Sequence, residues 1–170
     1  MNIKEYIKEY ADFPKEGIIF RDISPILREP KAFQYVINSF YEEYKDYNID
    51  LIAGIESRGF IFASALALKF NKGMIMIRKQ GKLPGYTYTK KYDIEYGNAT
   101  MEIQKEAIKK GDRVLIIDDL IATGGTARAS AQLIEELGGK VVGFAFVIEL
   151  MSLKGIETIS KYKTYSLVRY

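Results

Sequence analysis

The chain contains neither cysteine nor histidine. Without cysteine there is no disulfide framework and no thiolate chemistry. Without histidine the commonest acid–base residue and the commonest metal ligand are both missing, which excludes a zinc site or a Ser-His triad. Charge of one sign is scarce as well: 25 Lys and Arg against 22 Asp and Glu leave +3. That is too little to argue for nucleic acid, although it suits a small anionic ligand. The N-terminal stretch MNIKEYIKEYADF has no long apolar run. It therefore reads as neither a signal peptide nor a membrane anchor, and the cytoplasm is the expected location. What is present is 170 residues, 48% hydrophobic and 28% charged, enough for one soluble domain with a sizeable core.

No internal repeat, low-complexity tract or long linker interrupts the chain. Ile3, Tyr6, Ile7 and Tyr10 fall at helical spacing, and so do Phe33, Val36, Ile37, Phe40 and Tyr44 within Lys31 to Lys45. Pro14, Gly17, Pro25 and Pro30 favour irregular structure between them. Leu51 to Ile55, Met74 to Ile77, Arg113 to Ile117, Val141 to Ile148 and Tyr165 to Val168 read as buried strands. Ser57 to Phe70 and Thr126 to Leu137 read as helices, the second stopped by Gly138-Gly139. Tyr86 to Gln104 carries Tyr, Thr and Ile in two arms around Tyr96-Gly97-Asn98, the pattern of a long, fairly polar and mobile hairpin. Apolar strands alternating with helices predict an α/β fold with a mostly parallel sheet covered on both faces. Ligands of such sheets sit at the carboxyl ends of the strands.

The stretch VLIIDDLIATGGTA, Val114 to Ala127, falls at such an end. Ala122, Thr123, Gly124, Gly125 and Thr126 form a small, hydroxyl-bearing loop between strand and helix. The glycines permit close backbone approach, and the helix supplies free N–H groups and the positive end of its dipole. This is a cup for one phosphate, without the Lys of a Walker loop and without G-x-G-x-x-G; an ordinary strand-to-helix turn fits the same residues. Asp118 and Asp119 just before it accept hydrogen bonds from vicinal hydroxyls and attract a hydrated divalent cation. A ribose 5-phosphate meets both halves at once, and a merely polar strand terminus is the plainer alternative.

Hydrophobic residues, two acids and A-T-G-G-T in that order resemble the phosphoribosyl pyrophosphate motif of type I phosphoribosyltransferases. FPKEGIIFRDISPIL (Phe13 to Leu27), GIESRGF (Gly54 to Phe60), IRKQGKLPG (Ile77 to Gly85), IEYG (Ile94 to Gly97) and VIELMSLKG (Val147 to Gly155) resemble the adenine phosphoribosyltransferase family over nearly the whole chain. Ala63-Ser64 departs from it where many members carry glycine. The resemblance implies the type I fold in one domain, residues 1–170, with a small N-terminal hood over about 1–30 and a β-hairpin lid over about 86–104. The implied reaction joins adenine to phosphoribosyl pyrophosphate, giving AMP and diphosphate in purine salvage. Magnesium is held mainly by substrate, with no direct protein ligand, and the active form is a homodimer without nucleic-acid or membrane partners.

The resemblance also distributes roles. Glu56, Ser57 and Arg58 bind pyrophosphate in a nest of backbone N–H groups, with a non-proline cis peptide between Glu56 and Ser57 that would cost roughly 3 kcal/mol. Arg78, Lys79 and Lys82 reach the diphosphate, partly from the neighbouring subunit; from the residues alone a solvated basic face is the usual reading of such a run. Ile19 and Arg21 present backbone groups to the purine edge, while Phe20 and Leu150 sandwich its ring, although both are also ordinary core residues. Arg58 and Lys82 stabilise the leaving diphosphate. Glu95, with no histidine to do it, handles the purine proton, and Tyr96 supports closure. A binding-only regulator, a transferase for guanine, hypoxanthine or xanthine, and a nucleic-acid-binding protein are the rival readings.

Overall fold

The computed structural model describes residues 1–94 and 97–170, so Glu95 and Tyr96 lie outside the described residues. The chain divides into two compact units, Met1–Ser39 and Phe40–Tyr170.

In the first unit a single 3-10 turn, Ile3–Tyr6, is capped by the Asn2 side chain. Strand β1 (Lys8–Tyr10) follows and pairs antiparallel with β2 (Phe20–Asp22). The helical spacing of Ile3, Tyr6, Ile7 and Tyr10 is thus realised for one turn only. Ile7 is already extended, and the ladder to β2 takes over the backbone bonds a helix would have used. Helix α1 (Ser24–Arg28) starts on a proline in its first turn, and the Asp22 carboxylate accepts from Ser24 N–H at 2.9 Å. Helix α2 (Pro30–Tyr44) runs on into the second unit.

The second unit continues with β3 (Leu51–Ile55), α3 (Glu56–Phe70), β4 (Gly73–Lys79), β5 (Thr87–Ile94), β6 (Gly97–Gln104), β7 (Arg113–Ile121), α4 (Gly125–Glu136), β8 (Lys140–Glu149) and β9 (Thr164–Arg169). Seven strands form one sheet in the order β5-β6-β4-β3-β7-β8-β9. From β4 to β9 the pairing is parallel, and the β5–β6 hairpin joins antiparallel at β4. This is the expected mostly parallel α/β sheet. Val114 and Ile116 face a cluster with Leu133 and Ile134 of α4. Leu115 and Ile117 alternate to the opposite face and are equally buried. Sequence reading ends the central strand at Ile117, but β7 continues to Ile121 because β8 pairs with it as far as Ile121↔Glu149.

The hairpin is less free than its composition predicts. Tyr92, Met101, Ile103 and even Glu102 are buried, so one face of it belongs to the core. At the other end of the sheet, β8 carries an irregularity where Val114 pairs Val141 and Leu115 pairs Gly143. Gly143 is required there: a Cβ would stand 2.8 Å from the Tyr44 hydroxyl. That hydroxyl is buried and donates to the Phe144 carbonyl at 2.6 Å. Burial raises its pKa, so it stays a neutral donor.

Tyr44→Phe leaves the Phe144 carbonyl short of its buried donor. The expected loss is about 1–2 kcal/mol in urea unfolding, with an unchanged m-value.

Candidate active site

The carboxyl ends of β3, β4 and β7 open on two adjoining cavities. One, of about 290 Å³, is lined by Glu56, Ser57, Arg58, Lys79, Asp118, Asp119, Leu120 and Thr126, among others. The other, of about 210 Å³, is lined by Asp118, Leu120, the loop Ala122–Thr126 and Phe146. Asp118, Leu120 and Thr126 belong to both, so the acidic pair and the loop border neighbouring cavities.

The second cavity is the cup. Helix α4 begins at Gly125 without a side-chain cap, so its leading N–H groups are left for a ligand. Gly124 has φ +83°, and a Cβ there would overlap Thr158 Oγ1 and the Gly155 carbonyl. Those two groups are joined by the Thr158 hydroxyl, which donates to Gly155 at 2.7 Å. A Cβ on Gly155 would in turn overlap the Ala122 carbonyl. The Lys154–Thr158 segment thus buttresses the loop from below. Thr123 is exposed, and Thr126 is half-buried.

The first cavity is polarised. Asp119 is 4% exposed, and the Arg58 Nε stands 3.0 Å from its Oδ2. Its own N–H donates to Asp118 Oδ1 at 2.8 Å. Burial, and then the neighbouring Asp119 charge, push the Asp118 pKa well above the usual carboxylate range; Arg58 opposes them. Burial also raises Asp119, again against Arg58.

Across the cleft Glu56 gathers cations. It accepts from Lys79 N–H at 2.5 Å and from Lys82 Nζ at 3.1 Å, with Arg78 Nε at 3.6 Å. Burial alone would raise its pKa, but these donors outweigh burial and lower it. The Glu56–Ser57 peptide is not cis, contrary to the sequence expectation; the cis bond among the described residues is Phe13–Pro14. The turn into α3 is made instead by Glu56 at φ 50°, a left-handed conformation that costs a non-glycine residue on the order of 1–3 kcal/mol.

Arg58, Lys82, Glu56, Ser57, Arg78, Lys79, Asp118, Asp119 and the loop therefore come together around one strand-end region. Of the remaining candidates, Ile19 is half exposed and Arg21 Nη1 donates to its carbonyl at 3.4 Å. Phe20 meets the Phe13 ring edge-on at 5.1 Å. Leu150 is half-buried, and its N–H donates to the Ile121 carbonyl at 3.0 Å. Glu95 and Tyr96 are outside the described residues.

Two residues here escape a reading of the sequence. Glu102 is 3% exposed and accepts from both Lys82 N–H and Leu83 N–H, at 2.9 and 2.8 Å, fixing the turn that carries Lys82. Tyr92 meets the cup from the hairpin. The one signal for Glu102 is a carboxylate set between Met101 and Ile103 in a strand; for Tyr92 there is none.

A mostly parallel sheet with an acidic pair and an uncapped helix start at its carboxyl edge is the arrangement expected of a sugar-phosphate binder. The model of the phosphoribosyl transferase domain matches residues 22–168. The adenine phosphoribosyltransferase of Nitrosopumilus maritimus (strain SCM1) is 59% identical over 170 residues, the full length of both chains. The crystal structure of the enzyme of that name from Thermoanaerobacter pseudethanolicus ATCC 33223 superposes with a TM-score of 0.96 at 45% identity, covering 99% of this chain and 98% of that one. The Saccharomyces cerevisiae adenine phosphoribosyltransferase, complexed with an imino-altritol bisphosphate and adenine, gives 0.92 at 42% identity, over 98% and 96% of the two chains. The chain belongs to the adenine phosphoribosyltransferase family.

A carboxylate whose pKa is raised by folding binds its proton more tightly in the native state. Its ionisation therefore destabilises the fold, and stability falls as pH rises through the raised value. Asp118→Asn removes that ionisation while its amide oxygen still accepts from Asp119 N–H. Thermal melts across pH should show the variant gaining on wild type as pH rises above about 4, the ordinary aspartate value.

Proposed function

We propose that this chain converts adenine and phosphoribosyl pyrophosphate to AMP and diphosphate, as an enzyme of purine salvage. The observation that carries the reading is the pair of adjoining cavities that Asp118 and Thr126 both line. The cup takes the 5-phosphate through the N–H groups of Ala122 to Thr126, and the acids behind it take the ribose 2- and 3-hydroxyls. The C1–diphosphate bond loosens first, and the sugar gains oxocarbenium character that nearby carboxylates favour. Arg58 and Lys82 then leave Asp119 and Glu56 for the departing diphosphate, joined by Arg78 and Lys79.

Adenine N9 attacks C1 as that bond breaks, and the N9 proton passes to Glu95. Tyr96 supports closure of the lid, residues 86–104, which keeps water from the sugar diphosphate. Residues 1–30 act as the hood of a single functional domain, 1–170. The adenine contacts of Ile19, Phe20 and Arg21, and of Leu150, rest on the sequence resemblance.

Magnesium fits the donor set. Among the described residues no three Asp or Glu side chains converge, and a pair of acids suits a hydrated ion that arrives with substrate oxygens. Substrate oxygens would hold it with no direct protein ligand, and Asp118 and Asp119 would face only its water shell. When bound, it supplies positive charge against the diphosphate. We further assign a homodimeric active form and a cytoplasmic location; no helix among the described residues is long and apolar enough to cross a membrane.

Initial rates with phosphoribosyl pyrophosphate test the substrate. Adenine should exceed hypoxanthine by on the order of 10⁴-fold, since 6-oxopurines reverse the hydrogen-bonding edge and leave polar groups unpaired. Faster turnover of hypoxanthine would overturn the assignment. In the same assay, Glu95→Gln should lower kcat about 100-fold with little change in either KM; unchanged kcat would remove Glu95 from proton transfer.

A further inference from the structure

The Tyr92 hydroxyl lies 2.8 Å from Thr126 Oγ1, although the two residues are 34 positions apart. Tyr92 belongs to β5 of the hairpin, opposite Ala99, and is only 9% exposed. Its ring also packs against the start of α4: a Cβ on Gly125 would come within 2.8 Å of Tyr92 Cδ2. On its other side Thr126 is fixed through its carbonyl, which accepts from Ser130 Oγ at 2.7 Å.

We propose that Tyr92 is a positioning residue for the phosphate cup: its O–H donates to Thr126 Oγ1, which turns the Thr126 proton toward the bound phosphate. The argument is one of donor counting. A threonine hydroxyl has one proton and two lone pairs. A phosphate dianion only accepts, so Thr126 contributes to binding only by donating to it. The Tyr92–Thr126 bond then has one remaining polarity, with the phenol as donor. The phenol is also the more acidic of the two hydroxyls, so this direction is the stronger one. A threonine already accepting from Tyr92 cannot spend its proton there, and reaches the ligand pre-oriented. The ring meanwhile covers the Gly125 flank of the loop, and the bond its hydroxyl makes is part-buried, where a lower dielectric strengthens a hydrogen bond. The inference rests on reading the cup as the seat of the sugar phosphate.

Tyr92→Phe keeps the ring and removes only the hydroxyl. Calorimetric titration with ribose 5-phosphate and with AMP should show both binding about tenfold more weakly than to wild type. The KM for phosphoribosyl pyrophosphate should rise similarly, while the KM for adenine and the melting temperature stay near wild type. In a Thr126→Ala background the same substitution should have no further effect on either titration. Equal affinity of Tyr92→Phe and wild type overturns the inference. So does an effect that persists without the Thr126 hydroxyl, or a rise in adenine KM that tracks a lower melting temperature. Wild type that turns over adenine while Tyr92→Phe is indifferent leaves the proposed function standing and this inference lost. Wild type that binds neither ribose 5-phosphate nor AMP overturns the phosphate seat, and the inference with it.

Discussion

Two adjacent carboxylates held out of water at the end of a central strand set the terms for everything around them. Asp118 and Asp119 ride on β7, which pairs on both sides with β3 and β8 and cannot move without the sheet. Burial makes both harder to ionise. The Arg58 guanidinium beside Asp119 and the Asp119 N–H on Asp118 offset part of that cost. A fold seeking stability alone would put apolar residues here. The acids stand a few residues before the uncapped start of α4, so one short segment carries both the carboxylates and the leading N–H groups of a helix.

The opposite wall solves a complementary problem. Lys82 and Arg78 converge beside the Lys79 backbone, and like charges brought together repel. Glu56 supplies the counter-charge, and its left-handed backbone places its carboxylate where the Lys79 N–H and the Lys82 ammonium meet. Glu102 holds the turn bearing Lys82 by accepting two consecutive backbone N–H groups. The wall thus holds Lys82 and Arg78 gathered around one carboxylate rather than scattered.

Much of this was legible in residue order because the relevant physics is local. Strand-length apolar runs with intervening helical periods imply a doubly covered parallel sheet, and each such run from Leu51 onward is a strand. A glycine pair between strand and helix implies exposed N–H groups at a helix start, and α4 begins there. Local reasoning failed where a distant partner outbid it. The N-terminal helical spacing gave way to pairing between β1 and β2. The central strand outran its apolar stretch because β8 kept pairing with it. The cis bond that the resemblance implied at Glu56–Ser57 is a different case: it is absent, and Glu56 turns the chain with a positive φ.

The order of residues by itself determined the sheet, the acidic pair, the cup and the cations, because each depends on spacing within a few positions. It also excluded thiol and imidazole chemistry, since those atoms are absent from the chain. Tertiary structure alone decided which groups meet: Tyr92 with Thr126, Arg58 with Asp119, Lys82 with Glu56, and Gly155 packed against the Gly124 loop. Those partners stand 26 to 61 positions apart in the chain. A hydrogen bond requires contact within about 3 Å, and only the closed sheet brings such positions that near.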